Sequence, residues 1–124
     1  MTGEVYRVIL MLEVRQMTLS ADILRGYTDA IILMQLQNGD SYGYRISREV
    51  SRISEGGLEM KEATLYTAFR RLEGAGMISS YWGDEMSGAR RRYYTITELG
   101  REKLRLDREN WQQTKQILDR LIGG

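Results

Sequence analysis

Arg90, Arg91 and Arg92 stand in an unbroken row, preceded by Gly88 and followed by Tyr93-Tyr94. Guanidinium groups are planar, always charged and matched to phosphate oxygens, so a run of three can clamp a nucleic-acid backbone. Taken alone, such a run serves solubility as readily. A second cluster lies upstream, where Lys61, Glu62, Thr64, Tyr66, Thr67, Arg70, Arg71 and Glu73 interleave with Leu65, Phe69 and Leu72. A third feature is Trp111, set among Asp107, Arg108, Glu109 and Lys115.

Catalytic chemistry finds little support. The chain has no Cys and no His, which removes thiolate nucleophiles, Ser-His-Asp hydrolysis, Cys-based zinc sites and the commonest metal ligand. No convergent carboxylate or Lys cluster replaces them, so we expect neither an enzyme nor a metal or cofactor protein. Formal net charge is only +1, and Ser41 to Thr97 holds nine Lys/Arg against seven Asp/Glu. Any nucleic-acid binding must then rest on a few placed contacts rather than on a basic surface.

The elements that must place these residues follow from periodicity. The 124 residues, 42% hydrophobic and 28% charged, make one globular domain. A first helix is expected from Ser20-Ala21-Asp22 to about Gln37, stopped by Asn38-Gly39-Asp40. Ser41 reads as the cap of a second helix over 43–54, with Ile46, Val50 and Ile53 on one face and Gly56-Gly57 as its break. The third helix is expected over 62–75, with Leu65, Phe69 and Leu72 buried. Tyr66, Thr67 and Arg70 can then share its solvent side. Two strands, 78–82 and 91–97, form a hairpin with a long tip. Thr97 is placed to cap a last helix reaching Ile122.

The expected fold is mainly α with a small β-hairpin: a winged helix-turn-helix plus a long C-terminal dimerisation helix. An outward third helix fits a major groove about 12 Å wide, and the hairpin stands beside it as a wing. Leu104, Trp111 and Leu118 recur every seven residues, with Ile117, Leu121 and Ile122 thickening the seam, as a helix facing a partner helix requires.

The strings SYGYRIS (Ser41–Ser47), ATLYTAFRRLEGAGMISSYWGDE (Ala63–Glu85) and GARRRYYTITELG (Gly88–Gly100) resemble the PadR family of transcriptional regulators, and within it the multidrug-binding branch. The resemblance covers about residues 19–122. It implies a homodimeric repressor on a pseudo-palindromic operator of double-stranded DNA, with Tyr42, Tyr44, Lys61, Thr64, Tyr66, Thr67, Arg70, Arg90 and Arg91 as contact candidates. Tyr42 and Tyr44 fit a buried role equally well, and Lys61 stands where relatives carry a capping Asn. By itself Trp111 reads as packed on the first helix, within one subunit or across a dimer, with no ligand needed; the resemblance implies instead a planar aromatic effector stacked on it at the dimer interface. Ile23, Gly26, Asp29, Ala30, Leu33, Met34, Asp107, Arg108 and Lys115 would line its site. Here Arg108 replaces an aromatic residue, Asp107 a small apolar one and Lys115 an acidic one. Lys115 weakens the case for a cationic ligand, Asp29 can restore a negative charge, and the four charged residues can equally narrow the site or bridge it shut. Leu104, Trp111, Leu118 and Leu121 would form the dimer seam. A winged helix used only for docking proteins is the rival reading.

Met17-Thr18-Leu19-Ser20 looks like a usual family beginning, so residues 1–18 divide as an N-terminal extension from the DNA-binding domain (19–97) and the dimerisation helix (98–122). Val5, Val8, Ile9, Leu12 and Gln16 fit a helical face, and a strand fits about as well. The apolar run from Val5 to Val14 is about half a membrane span and lacks a basic leader, so a cytoplasmic protein is expected.

Overall fold

A computed structural model of the protein describes residues 3–5, 21–84 and 90–124. Most of the N-terminal extension and the wing tip lie outside them. The order is α1 (Ala21–Gln37), α2 (Gly43–Ile53), α3 (Glu62–Gly74), β1 (Ile78–Asp84), β2 (Arg90–Ile96) and α4 (Glu98–Ile122). This is the winged helix-turn-helix followed by a long helix that the pattern predicts.

The core is one cluster to which every element contributes. Ile32, Leu33 and Leu36 of α1 meet Ile46 and Val50 of α2, Leu65, Phe69 and Leu72 of α3, and Ile78, Tyr94 and Ile96 of the hairpin. The Tyr94 ring stacks on Phe69, with centroids 4.1 Å apart and planes 19° apart, joining the wing to the third helix. Leu58 and Met60 pin the loop between α2 and α3 into the same cluster.

Helix ends follow local backbone rules. Gly39 (φ +146°) ends α1, and Gly76 (φ +75°) ends α3, where Gly76 N–H donates to Glu73 O and Met77 N–H to Leu72 O. The same paired bonds end α2, through Glu55 N–H to Arg52 O and Gly56 N–H to Ser51 O. There Glu55, not a glycine, takes the first left-handed position at φ +53°. The break therefore begins one residue before Gly56-Gly57.

Three expectations are corrected. Ser41 does not cap α2: its N–H donates to Tyr94 O and its carbonyl accepts from Tyr94 N–H, which makes it a one-residue third strand beside β2. Tyr42 occupies the N-cap position and makes no side-chain cap bond. Ile53 is exposed because α2 ends there, so only Ile46 and Val50 of its apolar face are covered. The strands also run further toward the tip than expected, pairing antiparallel from Ile78↔Ile96 to Asp84↔Arg90.

The long helix α4 is fastened at its start. Thr97 Oγ1 accepts from Gly100 N–H (3.1 Å) and donates to Gly76 O (2.7 Å), so the cap also ties α4 to the end of α3. A Cβ on Gly100 would collide with the Met77 carbonyl, so only glycine allows this approach. Past Leu104 no residue of α4 is buried, and the helix leaves the domain with Trp111, Ile117, Leu118, Leu121 and Ile122 exposed. Among the described residues, no helix is long and apolar enough to cross a membrane.

Candidate nucleic-acid interface

The third helix hides Leu65, Ala68, Phe69 and Leu72, which turns Tyr66, Thr67 and Arg70 outward together. Tyr66 is 55% exposed. Thr67 Oγ1 donates to Ala63 O at 2.9 Å, leaving its oxygen lone pairs and methyl group facing solvent. Lys61 occupies the N-cap position of α3, exposed and without a side-chain cap bond, and Thr64 is half-buried. Arg71, next to Arg70, turns the other way and pairs with Asp29 of α1.

Period-two geometry gives the hairpin two faces. On one, Trp82 lies opposite Arg92, and the guanidinium carbons of Arg90 and Arg92 sit 5.3 and 5.8 Å from the Trp82 ring centre. Arg92 is further held by Ser80 Oγ (2.8 Å) and by an ion pair with Glu73 (3.5 Å), which tie it to the domain. On the other face Tyr81 lies opposite Tyr93, and Gly83 opposite Arg91. Tyr93 meets the edge of Tyr42 at 5.4 Å, and Tyr42 carries two guanidinium groups, Arg91 at 4.5 Å and Arg45 at 4.7 Å. Cations over an aromatic ring are attracted by about 0.5–1 kcal/mol where exposed, so these contacts orient the arginines without burying their charge.

Tyr42 is thus half-buried against the wing, and Tyr44 is 66% exposed with Arg48 beside it at 5.7 Å. Neither is a core residue. A groove of about 630 Å³ opens between α2, α3 and the wing, lined by Tyr42, Tyr44, Tyr66, Arg90 and Arg91 among others, with Met60, Leu65 and Phe69 at its floor. Lys61, Thr64, Thr67 and Arg70 lie outside that lining, along the same helix. Arg45, Arg48 and Trp82 are not among the residues that the sequence points to, and Arg92 is so only as a member of the arginine row. The i, i+3 spacing of Arg45 and Arg48 on α2 was a usable signal, whereas Trp82 joins the site only through strand pairing.

Around Trp111 the candidates divide. The ring is 43% exposed and meets Tyr27 of α1 edge-on, with centroids 5.5 Å apart, inside one subunit. Lys115 Nζ stands 5.9 Å from the Trp111 ring centre. Ile23, Gly26 and Met34 are exposed, and Asp29 and Ala30 half-buried. Asp107 is engaged by Lys103 at 2.7 Å. Arg108 opens instead onto a separate groove with Gln37, Arg105 and Gln112, whose lining excludes Trp111. Two candidates are misplaced: Leu33, named for the ligand site, is 0% exposed, and Leu104, named for the dimer seam, is 2% exposed. Both belong to the subunit core because α1 and the start of α4 cover each other there.

Known proteins share this architecture. A transcriptional regulator from Clostridium thermocellum is 43% identical, with 82% of this chain and 99% of that one covered, at a TM-score of 0.76. A PadR family transcription regulator from hypervirulent Clostridium difficile is 34% identical, covering 77% of this chain and 98% of its own, at a TM-score of 0.69. An uncharacterised protein of Lysinibacillus sphaericus is 42% identical over 104 residues, 84% of this chain and 95% of the relative. Residues 32–106 match the model of the transcriptional regulator PadR-like family. The chain belongs to the PadR-like family of transcriptional regulators.

Proposed function

We propose that the protein is a cytoplasmic repressor that binds a pseudo-palindromic operator as a homodimer and catalyses no reaction. The observation that carries this reading is the gathering of Tyr42, Tyr44 and Tyr66 with Arg90 and Arg91 around one open groove, with Thr67 and Arg70 exposed beside it on α3. The outer face of α3 would enter the major groove while Arg90 and Arg91 hold flanking phosphates. Two α3 helices would sit about one helical turn, roughly 34 Å, apart.

The dimer would form through the uncovered face of α4. Trp111, Leu118 and Leu121 are apolar and exposed, and Ile117 and Ile122 extend the patch. A set of large side chains left in water on one projecting helix supports a partner helix as its cover.

A planar aromatic effector at Trp111 is the finer part of the proposal. The charges nearby favour a neutral or anionic compound over a cation. Asp29 is neutralised by Arg71, Asp107 by Lys103, and Lys115 lies nearest the tryptophan ring.

A mobility-shift assay on duplex DNA from the chain's own upstream promoter tests the central reading. A specific, salt-sensitive shift is the expected result; no shift would favour the protein-docking rival, which the net charge of +1 keeps in view. Titrating planar compounds against Trp111 fluorescence tests the effector. Absence of quenching and of operator release would leave Trp111 a plain dimer-core residue.

A further inference from the structure

The outer face of the hairpin is an odd one for a solvated surface. Its cross-strand pair is Tyr81 and Tyr93, stacked with ring centres 5.6 Å apart and planes 12° apart. Tyr93 touches Tyr42 on its far side, and Tyr42 carries Arg91. Tyr81 ends the row, and its hydroxyl donates to Asp40 Oδ2 at 2.6 Å. Asp40 belongs to the short turn between α1 and α2, directly before Ser41, which is itself bonded to β2. The turn therefore grips the wing twice, once by backbone at Tyr94 and once by a side chain at Tyr81. Ile78, Tyr94 and Ile96 seat the root of the wing in the core, and the Tyr81 contact adds a hold nearer the tip, which narrows the angles that the ribbon can take.

We infer that Asp40 and Tyr81 are positioning residues that set the angle of the wing and so place Arg91 for its phosphate contact. Their effect would pass through Tyr93 and Tyr42 to Arg91, with no contact of their own to DNA required. The inference rests on the DNA-binding reading. Charge makes it unusually open to test, because Asp40 is a negative group on the same side as a proposed phosphate contact. Were its charge all that mattered, removing Asp40 would strengthen binding. Were its grip on Tyr81 what matters, removing it would weaken binding.

The test compares the full chain with Asp40→Ala, Asp40→Asn, Tyr81→Phe and Arg91→Ala on the promoter duplex over a range of salt. Asp40→Ala and Tyr81→Phe are expected to lower affinity about three- to tenfold, the scale of one hydrogen bond. Each should also flatten the salt slope as Arg91→Ala does, and neither should add a full further loss when combined with Arg91→Ala. Asp40→Asn keeps an acceptor for the Tyr81 hydroxyl and is expected to bind at least as well as the parent chain. Tyr81→Phe preserves ring stacking and charge, so it separates the grip from any failure to fold. Wild-type affinity in Asp40→Ala or Tyr81→Phe, or losses fully additive with Arg91→Ala, overturns the positioning role while leaving the interface intact. If the parent chain itself shifts no duplex, the DNA-binding reading fails and the positioning role falls with it.

Discussion

The Tyr93 ring closes over the backbone of Gly83 on the diagonal of the hairpin, so that a Cβ at residue 83 would stand 2.7 Å from Tyr93 Cδ2 and closer still to Cε2. The glycine is required because an aromatic ring fills the place of its side chain, a known way of covering a bare position in a strand. The same ring stacks on Tyr81 and meets Tyr42, so it cannot swing aside without breaking both contacts. Gly83→Ala is therefore expected to cost about 1–2 kcal/mol, the scale of the two aromatic pairs it would disturb. Urea unfolding followed by far-ultraviolet circular dichroism measures it, and an unchanged midpoint would show that Tyr93 relocates freely.

The wing and the third helix should fail differently. Arg90→Ala and Arg91→Ala are expected to weaken specific and scrambled duplexes alike and to reduce the salt slope by about one unit each. Thr67→Ala or Arg70→Ala should instead cost about 1–3 kcal/mol on the preferred sequence and little elsewhere. Equal losses for all four on scrambled DNA would refute this division.

Burial separates two leucines that share a seven-residue register on α4. Leu104→Ala should lower unfolding free energy by about 2–5 kcal/mol, as for other core truncations. Leu118→Glu, at an exposed position, should leave the subunit folded and shift sedimentation from dimer to monomer. A Leu118→Glu protein that remains dimeric would move the proposed seam elsewhere.

Tyr81 should ionise late. Its hydroxyl donates to the Asp40 carboxylate, and burial with the nearby Asp40 and Tyr93 charges acts in the same direction, so its pKa lies above the ordinary tyrosine value. A raised folded pKa means that this contact contributes fully below the unfolded value of about 10 and is lost as pH rises through the folded one. Tyr94 is raised too, chiefly by burial. Phenolate absorbance should show both as late steps, with Tyr81→Phe deleting one. A titration unchanged by that substitution would argue against the bond.

Local chemistry was legible in the chain itself. Helical spacing fixed α1, α3 and α4 to within a residue or so, and Thr97 declared itself as a cap, because these depend on neighbours along the chain. The outward set of Tyr66, Thr67 and Arg70 followed from the buried stripe opposite, and Arg90 and Arg91 from their place on the hairpin. Periodicity names a face, however, and not what covers it. It marked Leu104 as surface to share, and the family resemblance did the same for Leu33, whereas α1 and α4 bury both in one subunit; periodicity also expected Ile53 to be covered, yet α2 ends there in solvent. Ser41 had the right type and place for a cap, and the tertiary fold spent its backbone on Tyr94 instead. The hold on Arg92 depended on Ser80 and Glu73, which the fold brings to it from β1 and α3. Short-range spacing settled the elements and which polar side chains turn outward on α3 and the wing, the ones proposed to hold DNA. Only the packing of distant segments decided how the wing is held and which apolar surface is left for a partner.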